Sequence, residues 1–159
     1  MSVDTGWADE CCRLRFRPVP ERSRPVAENL RPFAEAAPST RVLIVDDNLA
    51  LAENIAEILG FEGYETDVAA SAEDALPKAM ADGLAVIVTD FKLPGIDGAE
   101  LVERVRLSGK AIHCIMISAY TDDATMDRAQ RAGAHFIAKP VDLVALAQHI
   151  RTIGAERLL

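Results

Sequence analysis

Short apolar runs alternate with amphipathic stretches over residues 41–155 of this 159-residue chain. The runs predict five strands, at residues 42–45, 64–69, 85–89, 112–117 and 136–138. Helical periodicity between and after them predicts five helices, of which Asn48 opens the first and Asp142 the last. Nearly continuous apolar strands are typical of parallel sheets covered on both faces. The pattern therefore predicts an α/β domain with a doubly wound parallel sheet, for which 2-1-3-4-5 is a common order of five strands.

Individual residues sharpen the prediction for the helices. Gly60 is expected to end the first helix, and Ser71 to open the second. Pro77 lies inside the second helix, which we therefore expect to be short or kinked. The fourth helix offers only Met126 and several alanines as its apolar face before Gly133 ends it, so we expect this helix to be loosely held.

Polar side chains stand where the predicted strands end. Asp46 and Asp47 follow the first strand, Asp90 the third, Ser118 the fourth and Lys139 the fifth. Open α/β sheets place their binding sites at the carboxyl ends of strands, where the winding reverses between strands one and three. We therefore expect the three aspartates to lie side by side in one crevice, with the hydroxyl and the ammonium close by.

This set of side chains is suited to phosphoryl chemistry. Two carboxylate charges about 4 Å apart repel by about 4 kcal/mol at an effective dielectric of ~20, and a divalent cation relieves that repulsion. Mg²⁺ suits a site with one or two carboxylates, several waters and a phosphate oxygen, and we expect the backbone around Asp90–Lys92 to add a carbonyl. A carboxylate can also act as a nucleophile and form an acyl phosphate. Lys139 and Ser118 would then supply an ammonium and a hydroxyl to the phosphoryl oxygens.

With these residues in place, residues 41–155 resemble the receiver domain of bacterial two-component response regulators. The resemblance rests on the segments 45–48, 89–98, 117–120, 132–134 and 139–140. It implies a flavodoxin-like fold with strand order 2-1-3-4-5 and a cis peptide bond between Lys139 and Pro140.

The resemblance also implies a role for each site residue. Asp90 would accept the phosphoryl group from a sensor histidine kinase or a histidine phosphotransfer protein. Asp46, Asp47 and Asp90 would hold Mg²⁺, Asp46 partly through water. Ser118 and Phe136 would switch on phosphorylation and change the face formed by helix four, strand five and helix five. That face would bind a downstream protein target, or the phosphate would be relayed onward. Such a domain assists its own phosphorylation and dephosphorylation and is not otherwise an enzyme.

Two enzyme classes that use a similar sheet fit the sequence less well. A dinucleotide oxidoreductase needs a Gly-x-Gly-x-x-Gly turn after strand one, where Asp46, Asp47 and Asn48 stand. A phosphatase similar to haloacid dehalogenases needs a second Asp where Lys92 stands. A receiver segment of a hybrid histidine kinase is a further alternative, as is an interaction module that accepts no phosphate, which the complete set of acids and lysine disfavours. The three histidines are scattered along the sequence and are assigned no role: His113, His135 and His149.

Charge and composition differ between the two parts of the chain. Residues 1–40 contain five of the eight prolines and balance six Arg against six Asp and Glu, which predicts a disordered extension or linker. Residues 41–159 carry eleven Lys and Arg against nineteen Asp and Glu, so the net charge of −8 falls there. Phosphate backbones are bound mainly by Lys and Arg, so direct binding of nucleic acid is not expected. Residues 156–159 are expected to form a short tail.

Apolar runs are too short for a membrane protein. None approaches the roughly 20 residues that span a bilayer, so we expect no membrane insertion. The chain begins without a charged segment followed by an apolar stretch, and three cysteines do not make a disulfide framework. These features predict a cytoplasmic protein.

Overall fold

The computed structural model describes residues 40–156, in which five strands alternate with five helices. The strands are β1 (Arg41–Val45), β2 (Glu65–Ala69), β3 (Leu84–Asp90), β4 (His113–Ser118) and β5 (His135–Ala138), and the helices are α1 (Leu49–Phe61), α2 (Ala72–Met80), α3 (Gly98–Leu107), α4 (Asp123–Ala132) and α5 (Leu143–Glu156). All strand pairs are parallel, in the order β2-β1-β3-β4-β5. The predicted fold class and strand order are confirmed. The expected extension, up to residue 39, and the tail from residue 157 lie outside the described residues.

The sheet separates two apolar layers. Along β1, Leu43 and Val45 pack with residues of α2, α3 and α4, whereas Val42 and Ile44 pack with residues of α1 and α5. This alternation follows from the period of two along a strand. Because both faces of β1 are buried, the position of its carboxyl end relative to β3 is fixed by packing on two sides.

Local signals define most helix ends as predicted. The Asn48 side chain accepts a hydrogen bond from Leu51 N at the start of α1, and Ser71 Oγ accepts one from Asp74 N at the start of α2. α2 is a short helix of nine residues that contains Pro77. α4 ends at Gly133, whose φ of 83° lies in the left-handed region that favours glycine.

Two helix predictions are wrong. α1 does not end at Gly60 but continues through Phe61, and the left-handed turn falls at Gly63, where φ is 92°. Met126 does not form the inner face of α4, since it is 44% exposed. The buried residues of α4 are small or polar: Thr125, Ala129 and Ala132. Among the described residues, no helix is long and apolar enough to cross a membrane.

Candidate functional site

Three carboxylates meet where β1 and β3 end side by side. Val45 pairs with Thr89 across the two strands, so Asp46 and Asp47 follow directly beside Asp90. Oxygens of the three side chains lie within 4.8 Å of one another, and no other group of three His, Cys, Asp or Glu in residues 40–156 does so. The strand order thus brings together residues that lie more than forty positions apart in the sequence.

The three acids differ in exposure. The Asp46 side chain is only 6% exposed and its Oδ1 accepts a hydrogen bond from Asn48 N at 2.9 Å, while Asp47 is exposed. The Asp90 side chain is 11% exposed. Burial raises the pKa of Asp46, and the charge of Asp90 adds to this effect. The hydrogen bond from Asn48 and the charge of Lys139 oppose the rise in the Asp46 pKa without cancelling it.

Lys139 bridges two of these carboxylates. Its Nζ lies 3.1 Å from Asp90 Oδ2 and 3.2 Å from Asp46 Oδ2. Burial alone would lower the pKa of Lys139, but the hydrogen bond to Asp90 and the charges of both aspartates outweigh burial and raise it. The peptide bond from Lys139 to Pro140 is cis, as the family resemblance implies. The site therefore contains a permanent ammonium among its carboxylates.

Ser118 and Phe136 lie on two neighbouring strands, β4 and β5. Ser118 is buried at the end of β4, its Oγ accepts a hydrogen bond from Tyr120 N, and its carbonyl accepts one from Lys139 N. Phe136 is half-buried and packs against the apolar layer on the side of α3 and α4. The hydroxyl is thus held at the same end of the sheet as the acids.

An open cavity of about 390 Å³ lies over the acids. Asp47, Asp90 and Lys139 line it from the strand ends, and Lys92 and Tyr120 line it from the loops. Lys92 Nζ lies 3.0 Å from Tyr120 Oη and 5.1 Å from the centre of the ring, and its backbone N donates to Asp90 Oδ1 at 3.3 Å. The Lys92–Tyr120 contact was not predicted, because nothing in the spacing of two loop residues 28 positions apart indicates that they meet.

The loop after Asp90 is closed tightly onto α3. Gly98 N donates to Phe91 O at 2.9 Å, and a Cβ atom at Gly98 would collide with the carbonyl oxygen of Asp90. Glu73 of α2 accepts a hydrogen bond from Ile96 N at 3.2 Å. The loop that carries Asp90 is therefore fixed at both of its ends, and the contribution of Glu73 was not predicted from the sequence.

The donor set fits a hard divalent cation. Three carboxylates supply oxygen ligands, one of them exposed, and the cavity beside them has room for water and a phosphate oxygen. A single ammonium offsets only part of their negative charge. The arrangement suits Mg²⁺ better than a transition metal, since no His or Cys ligand lies in this group.

The strand order and the acidic pocket at the switch point place the chain among flavodoxin-like α/β domains. Residues 42–151 match the family model of the response regulator receiver domain. The chain belongs to this family and is a receiver domain of two-component signalling similar to CheY.

Relatives of known name agree with this assignment. The chain is 32% identical over 117 residues to the chemotaxis protein CheY of Treponema pallidum, which covers 71% of the chain and 81% of that protein. It is 38% identical over 93 residues to a response regulator receiver protein of Anaeromyxobacter, which covers 58% of the chain and 39% of that protein. The crystal structure of a CheY-like receiver domain protein from Methanospirillum hungatei superimposes with a TM-score of 0.71 at 34% identity, covering 74% of the chain and 95% of that structure. The two enzyme classes weighed above are not favoured.

Proposed function

We propose that Asp90 is the phosphoacceptor of this receiver domain and that its phosphorylation requires Mg²⁺. The observation that carries the proposal is the position of its carboxylate, which lines the cavity, contacts Lys139 Nζ and lies within 4.8 Å of both other acids. Asp46 is buried and does not line the cavity. Asp47 is exposed and has no contact with Lys139 in the structure. Of the three acids, only Asp90 both lines the cavity and contacts the ammonium of Lys139.

The transfer exchanges one bond for another. A carboxylate oxygen of Asp90 forms a bond to phosphorus while the bond from phosphorus to the imidazole nitrogen of a phosphohistidine breaks. Lys139 and the hydroxyl of Ser118 would contact phosphoryl oxygens, and Lys92 N would donate to a third. Asp46, Asp47, Asp90 and the carbonyl of Lys92 would hold Mg²⁺, which supplies positive charge to the phosphoryl oxygens and to the acid cluster when bound.

Membership of the family supports a proposal for the donor and for the output. The donor would be a sensor histidine kinase or a histidine phosphotransfer protein. Ser118 and Phe136 lie on adjacent strands, and their registers place Ser118 beside Ala138 and Phe136 beside Met116. A displacement of Ser118 towards the phosphoryl group would therefore act on β5 directly. We expect the face formed by α4, β5 and α5 to bind a downstream protein, or the phosphate to be relayed onward.

The domain and its flanking segments are given separate roles. We propose that the domain at residues 41–155 acts in the cytoplasm as a phosphoacceptor and not as an enzyme on other substrates. Residues 1–40 would serve as an extension or a linker, including a linker in a hybrid kinase, and residues 156–159 as a tail. The acidic charge of residues 41–159 supports a protein partner and not a nucleic acid.

Phosphorylation is tested by intact mass. The protein is incubated with Mg²⁺ and acetyl phosphate, and we expect a single phosphoryl adduct. Asp90→Ala and chelation of Mg²⁺ should each abolish the adduct, and Lys139→Ala should slow its formation. Asp123→Ala, which removes an exposed acid of α4, is the matched control and should retain it. An adduct on the Asp90→Ala protein would refute the assignment.

Metal binding is tested separately by thermal unfolding. A ligand that binds only the folded state raises the melting temperature, so Mg²⁺ should stabilise the wild type. Asp47→Asn removes an exposed ligand without opening the core, and it should abolish the stabilisation. Equal stabilisation of the wild type and Asp47→Asn would place the ion elsewhere.

A further inference from the structure

All three histidines of the chain line one cavity of about 560 Å³. His113 and His135 are the first residues of β4 and β5, and His149 lies on α5. The rings of His135 and His149 stack with their centres 4.1 Å apart. Although the three histidines are scattered along the sequence, the fold brings them to one cavity. The cavity lies at the amino ends of β4 and β5. Ser118 is at the opposite end of β4, so the length of that strand, roughly 16 Å, lies between the cavity and Ser118.

The charged residues that line this basal cavity are all basic. α3 contributes Arg106 and the segment after it contributes Lys110, while β4, β5 and α5 each contribute one imidazole. No Asp or Glu is among the described residues of the lining. Asp82 pairs with Lys110 Nζ at 3.2 Å from outside the lining. Burial raises the pKa of the Cys114 thiol to about 11, so this lining group adds no negative charge.

A cluster of histidines often indicates a transition metal, since neutral imidazole is a common ligand. Two observations argue against a metal here. The ligand atoms of the three imidazoles do not all lie within 4.8 Å of one another, whereas those of the acid cluster do. Arg106 and Lys110 would also repel a divalent cation. The electrostatics of the cavity favour an anion.

The basic groups are held in place by the fold. Arg106 Nη2 donates to Gly133 O at 2.6 Å, which fixes the guanidinium at the rim and uses one of its five N–H donors. Lys110 Nζ bonds to the carbonyl oxygens of Met80 and Ala81 and to Asp82 Oδ1, so its three N–H donors are in use and it serves to shape the rim. A guanidinium fixed as that of Arg106 is loses little freedom when it binds a ligand.

We propose that the basal cavity binds a small anion that carries phosphate groups. Guanidinium groups form strong charge-assisted hydrogen bonds to phosphate oxygens, and imidazole N–H groups can donate to the same oxygens. The volume of the cavity lies within the range of small-molecule sites.

The test is a titration followed by NMR of the histidine side chains, with pyrophosphate as the probe and no Mg²⁺. Sodium chloride of equal ionic strength is the reference. We expect saturable shifts of all three histidine signals, because all three line the cavity. The double variant Arg106→Gln/His135→Gln should weaken binding by about tenfold or more. ADP in place of pyrophosphate separates the sources: tighter binding of ADP indicates a nucleotide, and equal binding indicates the inorganic anion.

A matched control comes from the same helix. Arg104→Gln removes a cation of α3 that pairs with Glu100 outside the cavity, and it should leave binding unchanged. Shifts that sodium chloride reproduces, or equal losses in Arg104→Gln and the double variant, would overturn the proposal. Phosphorylation of Asp90 plays no part in this experiment, so its result does not depend on the proposed function.

Discussion

α3 and α4 are neighbouring helices of ten residues each on the same side of the sheet, yet they are held in different ways. α3 buries three large apolar side chains, Leu101, Val102 and Val105. α4 buries only Ala129, Ala132 and Thr125. Apolar burial stabilises α3, whereas α4 has little apolar area to bury.

Polar contacts hold α4 at its start, middle and end. Asp122 accepts hydrogen bonds from the amide and hydroxyl of Thr125 at its start. Arg128 pairs with Asp97 at 2.8 Å and lies 5.9 Å from the centre of the Phe91 ring. At the end, Gly133 O accepts the hydrogen bond from Arg106 described above. The expected loose hold on α4 thus becomes a more specific prediction: the attachment of α4 depends mainly on charged side chains, whereas α3 is also held by its large apolar residues.

The largest expected effect contrasts core substitutions in the two helices. Leu101→Ala removes a fully buried side chain and should cost about 2–5 kcal/mol of unfolding free energy. Ala129→Gly in α4 should cost about 1 kcal/mol, mainly through helix propensity. Urea unfolding of both variants measures the difference. Equal costs would show that α4 depends on packing as much as α3 does.

Next in size is the glycine that ends α4. Gly133→Ala forces a left-handed conformation on a side chain whose Cβ would collide with the guanidinium of Arg106. Gly109, which follows α3, has a φ of 74° and open space around it. Gly109→Ala therefore costs only the backbone strain of a left-handed conformation. Gly133→Ala should be about 1 kcal/mol more destabilising in urea unfolding, because it also displaces the hydrogen bond from Arg106 to Gly133 O. If the two variants are equally unstable, Arg106 does not hold α4.

The ion pair in the middle of α4 should have a smaller effect. Arg128→Gln should speed amide exchange in α4 relative to α3 by about two- to fivefold, as expected for a surface pair. The difference should shrink in about 1 M salt, where screening is strong. Arg131→Gln breaks a pair within α4 itself and is the control. Exchange that is equally slow in α3 and α4 of the wild type would contradict the prediction for α4.

The smallest effect is the pH dependence of the α4 cap. The hydrogen bonds from the Thr125 amide and then its hydroxyl lower the pKa of Asp122. A lowered pKa adds stability above the unfolded value of about 3.9, and this stability is lost as the pH falls through the lower folded value. The destabilisation caused by Asp122→Asn should therefore shrink in acid when urea unfolding is repeated across that range. The effect of Ser71→Ala, at the uncharged cap of α2, should stay constant with pH.

Features encoded locally could be predicted from the sequence. Apolar runs define the strands, and the parallel order brings Asp90 to Asp46 and to Lys139, which lies 49 residues further along the chain. The left-handed turn at Gly63 instead of Gly60 could not be predicted, because both residues are glycine and the surrounding packing selects between them. Met126 was misplaced because alanine can line a helix face as well as methionine does.

Contacts between outer faces were not predictable from spacing. Arg128 and Asp97 lie on different elements, and so do His135 and His149. Such pairs depend on how the helices dock against the sheet, and periodicity carries no information about the partner. The Arg128–Asp97 pair is one of the contacts that distinguish α4 from α3. The His135–His149 pair forms part of the basal cavity.

The close approach of Gly98 to the backbone of Asp90 has a consequence for sequence evolution. A methyl group at this position would collide with the carbonyl oxygen of Asp90, which we propose as the phosphoacceptor, although residue 98 offers no atom to the chemistry. The first atom that a side chain at residue 98 would meet belongs to Asp90. We therefore expect a substitution there to impair phosphorylation before it destabilises the fold. We therefore expect related receiver domains to retain glycine at this position as strictly as they retain the proposed phosphoacceptor.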